Sequence, residues 1–438
     1  MRYELSRTGR RSRNFPYRHR VLRAPASECR LGRGARGESV RRTRRQSGLR
    51  IAVVGAGIGG LTLAAALRAA GVPCVVFEQT RGFFEIGAGV QLAPNAVRPL
   101  HRLGLGPALK ERAVRLEAIE FQSRRGVSIS RTELGADCER LFGAPYYSVH
   151  RAHLHDALRA LSEPAGLRLG HRLLRVEESA DLVRLLFEDG ATHEADVVVG
   201  ADGIHSVVRD ALVRDAPVFS GLSVFRGLVG ADRLSPAARQ PRVRLWLGPD
   251  GHFVCYPVSG GELISFAAVS SVSAPLTESW SATADPATVR GAFAGWHGAV
   301  SEILHAVGQV RHWALYDREP LHRWSTDRLT LLGDAAHPML PFMAQGANQA
   351  VEDAMDLAAC LAEAGPQTVA AALRRYESLR APRAAEIQSR SRSAAADLHL
   401  ADGPEQRARD EAMRRSAALR HRAWLYSYDT EDVRSPLA

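Results

Sequence analysis

A run of small residues between Ile51 and Arg68 constrains the fold of this chain more than any other stretch. It starts with four apolar residues, passes through Gly55, Gly57 and Gly60, and continues as a segment rich in Ala and Leu. This order predicts a buried strand, a glycine turn and a helix whose first N–H groups face an anion. The glycines let the chain turn, let a pyrophosphate approach the backbone, and let the helix pack on the strand.

An acidic residue follows at the end of the next apolar stretch. Residues 74–77 read Cys-Val-Val-Phe, and Glu78 comes directly after them. A carboxylate at the end of the second strand of a βαβ unit accepts hydrogen bonds from ribose hydroxyls. The alternative, a helix start that merely packs closely, leaves Glu78 without a role. We therefore expect a nucleotide-binding unit.

The rest of the chain contains two further strand-to-glycine turns and, between them, a segment with a different pattern of apolar residues. A strand, tight turn and helix recur around Asp202-Gly203, and another strand ends at Gly333-Asp334. Between these turns, residues 217–318 form short alternating runs that are typical of an antiparallel sheet. The pattern predicts an α/β fold, with a Rossmann-like domain, an inserted antiparallel β-sheet domain and C-terminal helices. The expected boundaries are an Arg-rich disordered extension at 1–48, the first domain at 49–216, the sheet domain at 217–318, the rest of the first domain at 319–366, and the helices at 367–438.

The positive charge of the chain is concentrated in its first 50 residues. They contain 16 Arg and three acidic residues, and the resulting positive net charge of this segment is larger than the net charge of +11 for the whole chain. The remaining residues therefore carry a slightly negative net charge. The folded part therefore lacks the basic stripe that nucleic-acid binding requires. A nucleic-acid arm, a transit peptide and translation from an upstream start codon could each explain the extension. The first predicted strand begins at Leu49, which favours the third explanation.

The composition excludes several other classes of protein. Apolar residues make up 45% of the chain without a continuous run long enough for a membrane span. The five cysteines are far apart and form no C-x-x-C motif, so we expect neither a zinc site nor a disulfide framework. These features fit a cytoplasmic protein with no metal and no membrane partner.

The three glycine turns together suggest one long cofactor. In an open α/β sheet such turns gather at the carboxyl ends of the strands, where ligands bind. A carboxylate at Asp334 would accept hydrogen bonds from a polyol. The helix that opens at Gly346, Ala347 and Asn348 would offer its N–H groups to a carbonyl that gains negative charge. This combination suits a flavin.

With these features the chain resembles the single-component FAD-dependent aromatic hydroxylases, the group that includes p-hydroxybenzoate hydroxylase. Within this group it resembles the salicylate and 3-hydroxybenzoate 6-hydroxylases most. The resemblance covers residues 49 to about 400. It rests on ordered motifs: the glycine fingerprint with Glu78, Gly87-Ala-Gly89-Val-Gln91 with Pro94-Asn95, His150-Arg151-Ala-His-Leu, Gly200-Ala-Asp202-Gly203-Ile-His-Ser206, Tyr316-Asp-Arg-Glu-Pro320, and Gly333-Asp334-Ala-Ala-His337-Pro338 followed by Gln345-Gly346-Ala347-Asn348.

The resemblance implies a cofactor, a co-substrate and a reaction. FAD would be reduced by NADH or NADPH and would react with O₂, and the flavin C4a-hydroperoxide would hydroxylate a small aromatic substrate, phenolic, heteroaromatic or benzoate-type. The substrate pocket would lie between the flavin ring and the sheet domain. A monomer and a homodimer both remain open. The residues implied in cofactor binding are Gly55, Gly57, Gly60, Glu78, Gln91, Arg151, Asp202, Gly203, Asp334, Gly346, Ala347 and Asn348.

An electrophilic oxygen attacks a phenolate faster than a phenol, so a group that deprotonates or orients the substrate is expected in a dry cavity. The candidate catalytic residues are Gln91, Arg226, His337 and Pro338. A structural reading of His337, in which it closes the turn before Pro338, is the main alternative. Several relatives have Tyr or His where this chain has Phe225, and Phe cannot activate a phenol. This difference argues against a simple benzoate and favours a bulkier or electron-rich ring.

Three other functions compete with aromatic hydroxylation. A flavin-dependent halogenase needs a lysine beside the flavin and typically a Trp-x-Trp segment, whereas the only lysine here is Lys110 and the segment is missing. A flavin oxidase or reductase without oxygen transfer and a non-catalytic flavin-binding sensor remain as alternatives. Acceleration of NAD(P)H oxidation by added phenols would distinguish hydroxylation from these two.

Overall fold

The computed structural model describes residues 48–83, 88–162, 166–272 and 282–431. Residues 1–47 of the expected Arg-rich extension and Gly87 of the glycine-rich motif lie outside these ranges. Within the described ranges, the strands and helices appear along the chain in the following order.

The strands are β1 (Ile51–Val54), β2 (Cys74–Glu78), β3 (Gly89–Leu92), β4 (Val114–Arg115), β5 (Ala118–Ser123), β6 (Ser128–Glu133), β7 (Tyr147–His150), β8 (Leu167–Leu169), β9 (Leu173–Glu178), β10 (Val183–Phe187), β11 (Thr192–Ala195), β12 (Val197–Gly200), β13 (Val218–Gly230), β14 (Arg242–Gly248), β15 (Gly251–Val258), β16 (Leu263–Ser271), β17 (Thr283–Ala284), β18 (Val310–Asp317) and β19 (Leu329–Leu331). The helices are α1 (Ile58–Ala69), α2 (Pro94–Arg102), α3 (Gly106–Arg112), α4 (Gly135–Phe142), α5 (Arg151–Ser162), α6 (Val207–Leu212), α7 (Pro286–Ala292), α8 (Gly298–Ala306), α9 (Gly346–Ala362), α10 (Val369–Leu398), α11 (Pro404–Arg415) and α12 (Ala423–Tyr426).

A five-stranded parallel sheet carries the nucleotide-binding motif. Its strand order is β19-β12-β1-β2-β8, and β1 pairs with both β12 and β2 in parallel. All four residues of β1 and of β12 are buried, because helices cover both faces of such a sheet. The predicted strand, glycine turn, helix and second strand are therefore confirmed as β1, α1 and β2.

Two of the fingerprint glycines are required by close packing. Gly55 has a φ of +104°, and a Cβ on Gly60 would lie 2.0 Å from the carbonyl oxygen of Gly55. Any side chain at position 60 would thus collide with the turn that leaves β1. The third glycine, Gly57, serves a different purpose that is described with the site.

The second sheet has eight strands in the order β17-β18-β13-β16-β15-β14-β5-β6. It is antiparallel as predicted, except that β14 and β5 pair in parallel. Strands β5 and β6 come from the segment that was expected to belong wholly to the first domain. The composition of these segments predicts strands but does not identify the strand with which they pair. They join the second sheet because β5 pairs with the edge strand β14.

Alternation along the central strands gives this second sheet two different faces. Side chains such as Phe225, Phe253 and Phe266 point to one face and form a buried cluster with α7 and α8. Their sequence neighbours point to the opposite face, toward the parallel sheet, where the candidate site lies.

Four helices complete the described part of the chain. The helices expected within residues 367–438 correspond to α10, α11 and α12, and α9 precedes them. The polar helix α11 ends at Arg415, and α12 begins only at Ala423. Helix α11 is strongly polar, so no apolar stripe marks its end in the sequence.

The described ranges also bear on membranes, metals and disulfides. None of their helices contains an apolar stretch suited to spanning a bilayer. No group of His, Cys, Asp and Glu side chains in these ranges is arranged to hold a metal ion. Cys74, Cys138, Cys255 and Cys360 are buried and not disulfide-bonded.

Candidate active site

One cavity of about 330 Å³ lies where the two sheets face each other. We call it the main cavity. Its walls come from the turn after β1, from β3, from the starts of α5 and α9, from the turn after β19, and from the face of the eight-stranded sheet that lies opposite α7 and α8. The predicted site residues that line it are Gly57, Gln91, Arg151, Gly203, Arg226, Asp334, Gly346 and Ala347.

The first glycine turn leaves open space for a cofactor. Gly57 is the residue just before α1, and a Cβ built on it would meet no atom within 4 Å. The space beside its backbone is therefore part of the main cavity, next to the N-terminus of an α-helix. A pyrophosphate would fit there because helix N–H groups and the helix dipole favour an anion. This part of the site fits FAD.

Glu78 holds the same turn in place. Its carboxylate accepts hydrogen bonds from the backbone N–H of Ala56 at 2.9 Å and of Thr80 at 2.9 Å. These contacts use one lone pair on each oxygen, and a carboxylate can accept further hydrogen bonds. Ribose binding by Glu78 stays a prediction.

Asp202 and Gly203 have different positions relative to the main cavity. The Asp202 carboxylate accepts a hydrogen bond from the Val207 N–H at 2.8 Å and another from the Ser206 hydroxyl, at the start of α6. Burial raises the pKa of this carboxyl group, and these hydrogen bonds oppose the shift. Asp202 was expected to serve the cofactors directly, but its side chain caps α6. Gly203 is the member of the pair that lines the cavity.

Asp334 is the carboxylate that faces the cavity. It lies deep in the protein and is nevertheless accessible, because it lines the main cavity and a smaller one of about 110 Å³, the side cavity. Burial raises the pKa of Asp334, with His337 and Arg151 partly opposing the shift. A Cβ on Gly346 would lie 3.8 Å from Asp334 Oδ1, so this carboxylate and the start of α9 lie close together. The pair suits a polyol and a polar ring edge.

Asn348 ties the start of α9 to neighbouring segments. Its Oδ1 accepts from the Ala93 N–H at 2.8 Å, and its Nδ2 donates to the Gln91 carbonyl at 3.0 Å. The side chain is buried and does not line the cavity, so the structure assigns it a positioning role. The Gln91 side chain accepts a hydrogen bond from the Tyr146 hydroxyl at 2.9 Å, which fixes its orientation beside the cavity.

Two arginines make the cavity electropositive. Arg151 begins α5, and burial lowers the pKa of its guanidinium while Asp334 opposes the shift. Arg226 on β13 lines both cavities, and its Cζ lies 5.9 Å from the centre of the Trp313 ring. Its buried Nε–H has no hydrogen-bond acceptor among the described residues. Because the guanidinium itself lines both cavities, an anionic ligand in the main cavity would pair with its charge.

His337 was considered as a candidate acid or base and, alternatively, as a structural residue, and the structure places its side chain outside the cavity lining. The side chain is buried, it lines neither cavity, and its Nε2 lies 2.6 Å from Asp353 Oδ2. This position favours the structural role of His337, which stays a prediction. Pro338 lines only the side cavity, and its carbonyl accepts a hydrogen bond from Gln388 Nε2 at 2.8 Å.

Phe225 does not face the substrate region either. It is buried on the opposite face of the sheet and stacks on His312 with 3.6 Å between the ring centres. The argument against a benzoate substrate assumed that this side chain lines the pocket. Alternation along β13 places Val224 and Arg226 in the cavity and Phe225 outside it, so that argument was wrong.

Two cavity residues on β15 were missed in the sequence. His252 and Tyr256 both line the main cavity, and the Tyr256 hydroxyl donates to the Gly89 carbonyl at 2.9 Å. Both stand at even positions of a strand whose odd positions include the buried Phe253. The period-2 pattern could have identified them once the face of the sheet was known.

The family model for the FAD binding domain matches residues 49–391. A 3-amino-4-hydroxybenzoate 2-monooxygenase of Streptomyces platensis, PtnB3, is 50% identical over 88% of this chain and 98% of its own length. The corresponding enzyme of Streptomyces cremeus is 48% identical over 86% of this chain and 95% of its own length.

The structural comparison agrees with the sequence matches. A salicylate hydroxylase solved as a substrate complex has a TM-score of 0.76 and 30% identity, and the match covers 90% of this chain and all of that one. The resemblance to FAD-dependent aromatic hydroxylases is thus confirmed. The chain belongs to the FAD-binding-domain family and is an FAD-dependent aromatic monooxygenase.

Proposed function

We propose that this enzyme hydroxylates a carboxylated aminophenol of the 3-amino-4-hydroxybenzoate type, with NADH or NADPH as the reductant. The observation that carries the proposal is the guanidinium of Arg226, which lines the cavity together with flavin-site residues and whose Nε–H has no acceptor among the described residues. A substrate carboxylate is the ligand that best satisfies this guanidinium. The two Streptomyces relatives, whose names specify such an acid, support the same substrate class.

The residues around the glycine turns would hold FAD. Gly57 and the start of α1 would receive the pyrophosphate, Asp334 the polyol, and the start of α9 at Gly346 and Ala347 the polar edge of the ring. When bound, FAD supplies the reduction of O₂ and an electrophilic oxygen, which is chemistry that no side chain provides.

The sheet face would hold the aromatic ring of the substrate. Apolar side chains surround Arg226 on this face, namely Val224, Val254, Ala267 and Val269. They would pack on the ring and exclude water, which strengthens the charge pair at Arg226 and limits loss of the reactive oxygen as hydrogen peroxide.

An amino group on the substrate also explains how the ring can be activated although His337, the candidate base of the sequence analysis, does not line the cavity. In a 3-amino-4-hydroxybenzoate, carbon 2 is adjacent to the carbon that bears the amino group. A neutral amine donates electrons to that position without prior deprotonation. The positions of His337 and Phe225, both outside the cavity lining, are therefore compatible with oxygen transfer to such a ring.

Substrate-stimulated oxidation of the reductant tests this proposal. Purified enzyme should oxidise NADH or NADPH faster when 3-amino-4-hydroxybenzoate is added, with little accumulation of hydrogen peroxide. Aniline and phenol, which lack the carboxylate, should stimulate much less. Stimulation with stoichiometric hydrogen peroxide would instead indicate an oxidase-like reaction, and no stimulation by any aromatic acid would contradict the proposal.

A further inference from the structure

Two histidines from distant parts of the chain contact each other at the edge of the main cavity. His252 Nδ1 lies 2.7 Å from His399 Nε2, and the two rings are stacked with their centres 5.0 Å apart. At this distance the N–H of one ring donates a hydrogen bond to the unprotonated nitrogen of the other. His252 is on β15, and His399 follows the last residue of α10.

The pair connects two separate spaces. His252 is 4% exposed and lines the main cavity. His399 lines a wide surface pocket, the outer pocket, together with Asp317, Glu319 and Arg392. Phe342 lies against both histidine rings, with ring centres at 5.4 and 5.9 Å, and itself lines the main cavity. The histidines thus form a polar connection between the main cavity and the outer pocket.

The pair is also correctly placed relative to Arg226. On the cavity face of the sheet, Val224, Val269 and His252 form one cross-strand row, and Arg226, Ala267 and Val254 form the next. His252 and Arg226 are therefore two strands and one row apart, or about 12 Å between their Cα atoms. This separation leaves room for one aromatic ring between the two side chains.

We propose that His252 accepts a proton from the amino group of the substrate as oxygen transfer makes its nitrogen cationic, and that His399 passes a proton to the outer pocket. This inference rests on the proposed function. When the ring carbon attacks the electrophilic oxygen, the amino nitrogen becomes a cationic iminium. Its N–H bond then breaks as an N–H bond to His252 Nε2 forms, and the electron pair of the broken bond stays on the substrate nitrogen. The proton on His252 Nδ1 moves to His399 Nε2, and the proton on His399 Nδ1 leaves to water in the outer pocket. Aromaticity is restored when the hydroxylated carbon loses its C–H proton and the imine nitrogen takes up a proton, which returns the amino group to its original protonation state.

The charge state of both rings suits this role. Burial lowers the pKa of His252 to about 3, with His399 adding to the shift. Burial lowers the pKa of His399 to about 4, with Asp250 opposing and Arg409 adding to the shift. Both imidazoles are therefore neutral at physiological pH, so that each has one nitrogen that accepts and one that donates.

Loss and chemical rescue of product formation test the pathway. We would compare wild type with His399→Ala, His252→Gln, the double variant and a control, His305→Ala. His305 is an exposed histidine on α8 whose Nδ1 lies 2.7 Å from the Ser301 carbonyl oxygen in the same helix. The readouts are the rate of hydroxylated product formed from 3-amino-4-hydroxybenzoate, the bound FAD, and the dissociation constant of the acid.

His399→Ala should slow product formation at least about tenfold, since a positioned acid–base group contributes about 10²–10⁴. Added imidazole, which can enter the outer pocket, should restore the rate, while bound FAD and the dissociation constant stay unchanged. His252→Gln should be slowed without such rescue, and the double variant should be no slower than the slower single variant because the two residues act in series. His305→Ala should match wild type.

Two results would overturn the inference while leaving the proposed function intact. One is a His399→Ala variant that forms product at the wild-type rate. The other is a slow His399→Ala variant that imidazole does not restore, which would show a structural role. A wild-type enzyme that forms no product from this acid would instead contradict the proposed function, and this inference with it.

Discussion

Asp353 joins His337 to Arg380 in the interior of the protein. Asp353 Oδ2 lies 2.6 Å from His337 Nε2, and Oδ1 accepts from Arg380 Nε at 2.8 Å. The same carboxylate accepts from the Gly333 N–H at 3.0 Å, in the turn that carries Asp334. A buried ionic group on α9 and α10 thus fixes the backbone of the candidate flavin site.

Asp353→Asn should destabilise the protein strongly. His337 and Arg380 hold the pKa of Asp353 down to about 2, although burial alone would raise it. Breaking a buried pair by removing one partner costs about 3–5 kcal/mol. Because the folded-state pKa is depressed, this stabilisation is present at neutral pH and is lost as the pH falls from about 4 toward 2.

Urea unfolding at pH 7 measures the effect. Asp327→Asn is the matched control, because Asp327 pairs with Arg374 at the surface with side chains 79% and 62% exposed. Such exposed pairs contribute about 0–1 kcal/mol. Equal stability of the two variants would show that the Asp353 contacts contribute little.

Asp356 should make the protein less stable as the pH rises. Its carboxylate accepts a hydrogen bond from the Tyr428 hydroxyl at 2.6 Å, and burial raises its pKa to about 7. Between about pH 4 and 7 the folded state therefore binds a proton that the unfolded state releases, so the free energy of unfolding falls across this window as pH increases. The slope from one such group is at most about 1.4 kcal/mol per pH unit.

Asp356→Asn should flatten this dependence, because it removes the titrating group and keeps an acceptor for Tyr428. Unfolding curves in urea at pH 5 and pH 7.5 would compare the variant with wild type. The same loss of stability in both proteins over this range would assign the pH dependence to other groups.

Gly57→Val should reduce FAD binding without preventing folding. A side chain at this position meets no protein atom within 4 Å and would occupy the space beside the start of α1. Gly308→Val is a suitable control, because a Cβ there also meets nothing within 4 Å but the residue does not line the cavity. The measurement is the ratio of flavin to protein absorbance after purification. Full FAD occupancy in Gly57→Val would argue against a pyrophosphate at this turn.

Arg226→Met should weaken binding of acidic substrates selectively. The loss of a charged hydrogen-bonded contact corresponds to about 1.5–3 kcal/mol, or about 10- to 150-fold in the apparent KM for an aromatic acid. Neutral phenols should be affected much less, and Arg233→Met, at an exposed position outside both cavities, should behave like wild type. An equal loss for acids and neutral phenols would show that Arg226 is structural.

The parts of the fold that depend on local patterns were predictable from the sequence. The turn at Gly55, the acid at Glu78 and the carboxylate of Asp334 all lie where strand-to-glycine patterns place them. Local sequence defines such turns because backbone conformation and close packing leave few alternatives to glycine.

The direction in which individual side chains point was less predictable. The side chains of His337 and Phe225 are buried and do not line the main cavity, whereas the side chain of His252 does line it. A shift of one residue along a strand exchanges the two faces of a sheet, so side-chain direction depends on pairing between distant strands. The buried ion pairs of Glu352, Asp353 and Asp356 with Arg380 were not predicted for a related reason, since Arg380 is separated from these acids in sequence.

Incorporation of labelled oxygen into the product tests the central claim most directly. The enzyme would be incubated with FAD, NADH or NADPH, 3-amino-4-hydroxybenzoate and ¹⁸O₂ in ordinary water, and the products would be separated and weighed by mass spectrometry. We predict a hydroxylated aromatic acid that carries one ¹⁸O atom and forms in proportion to the reductant consumed. Reductant consumption that yields only hydrogen peroxide, or a product whose new oxygen comes from water, would contradict the account.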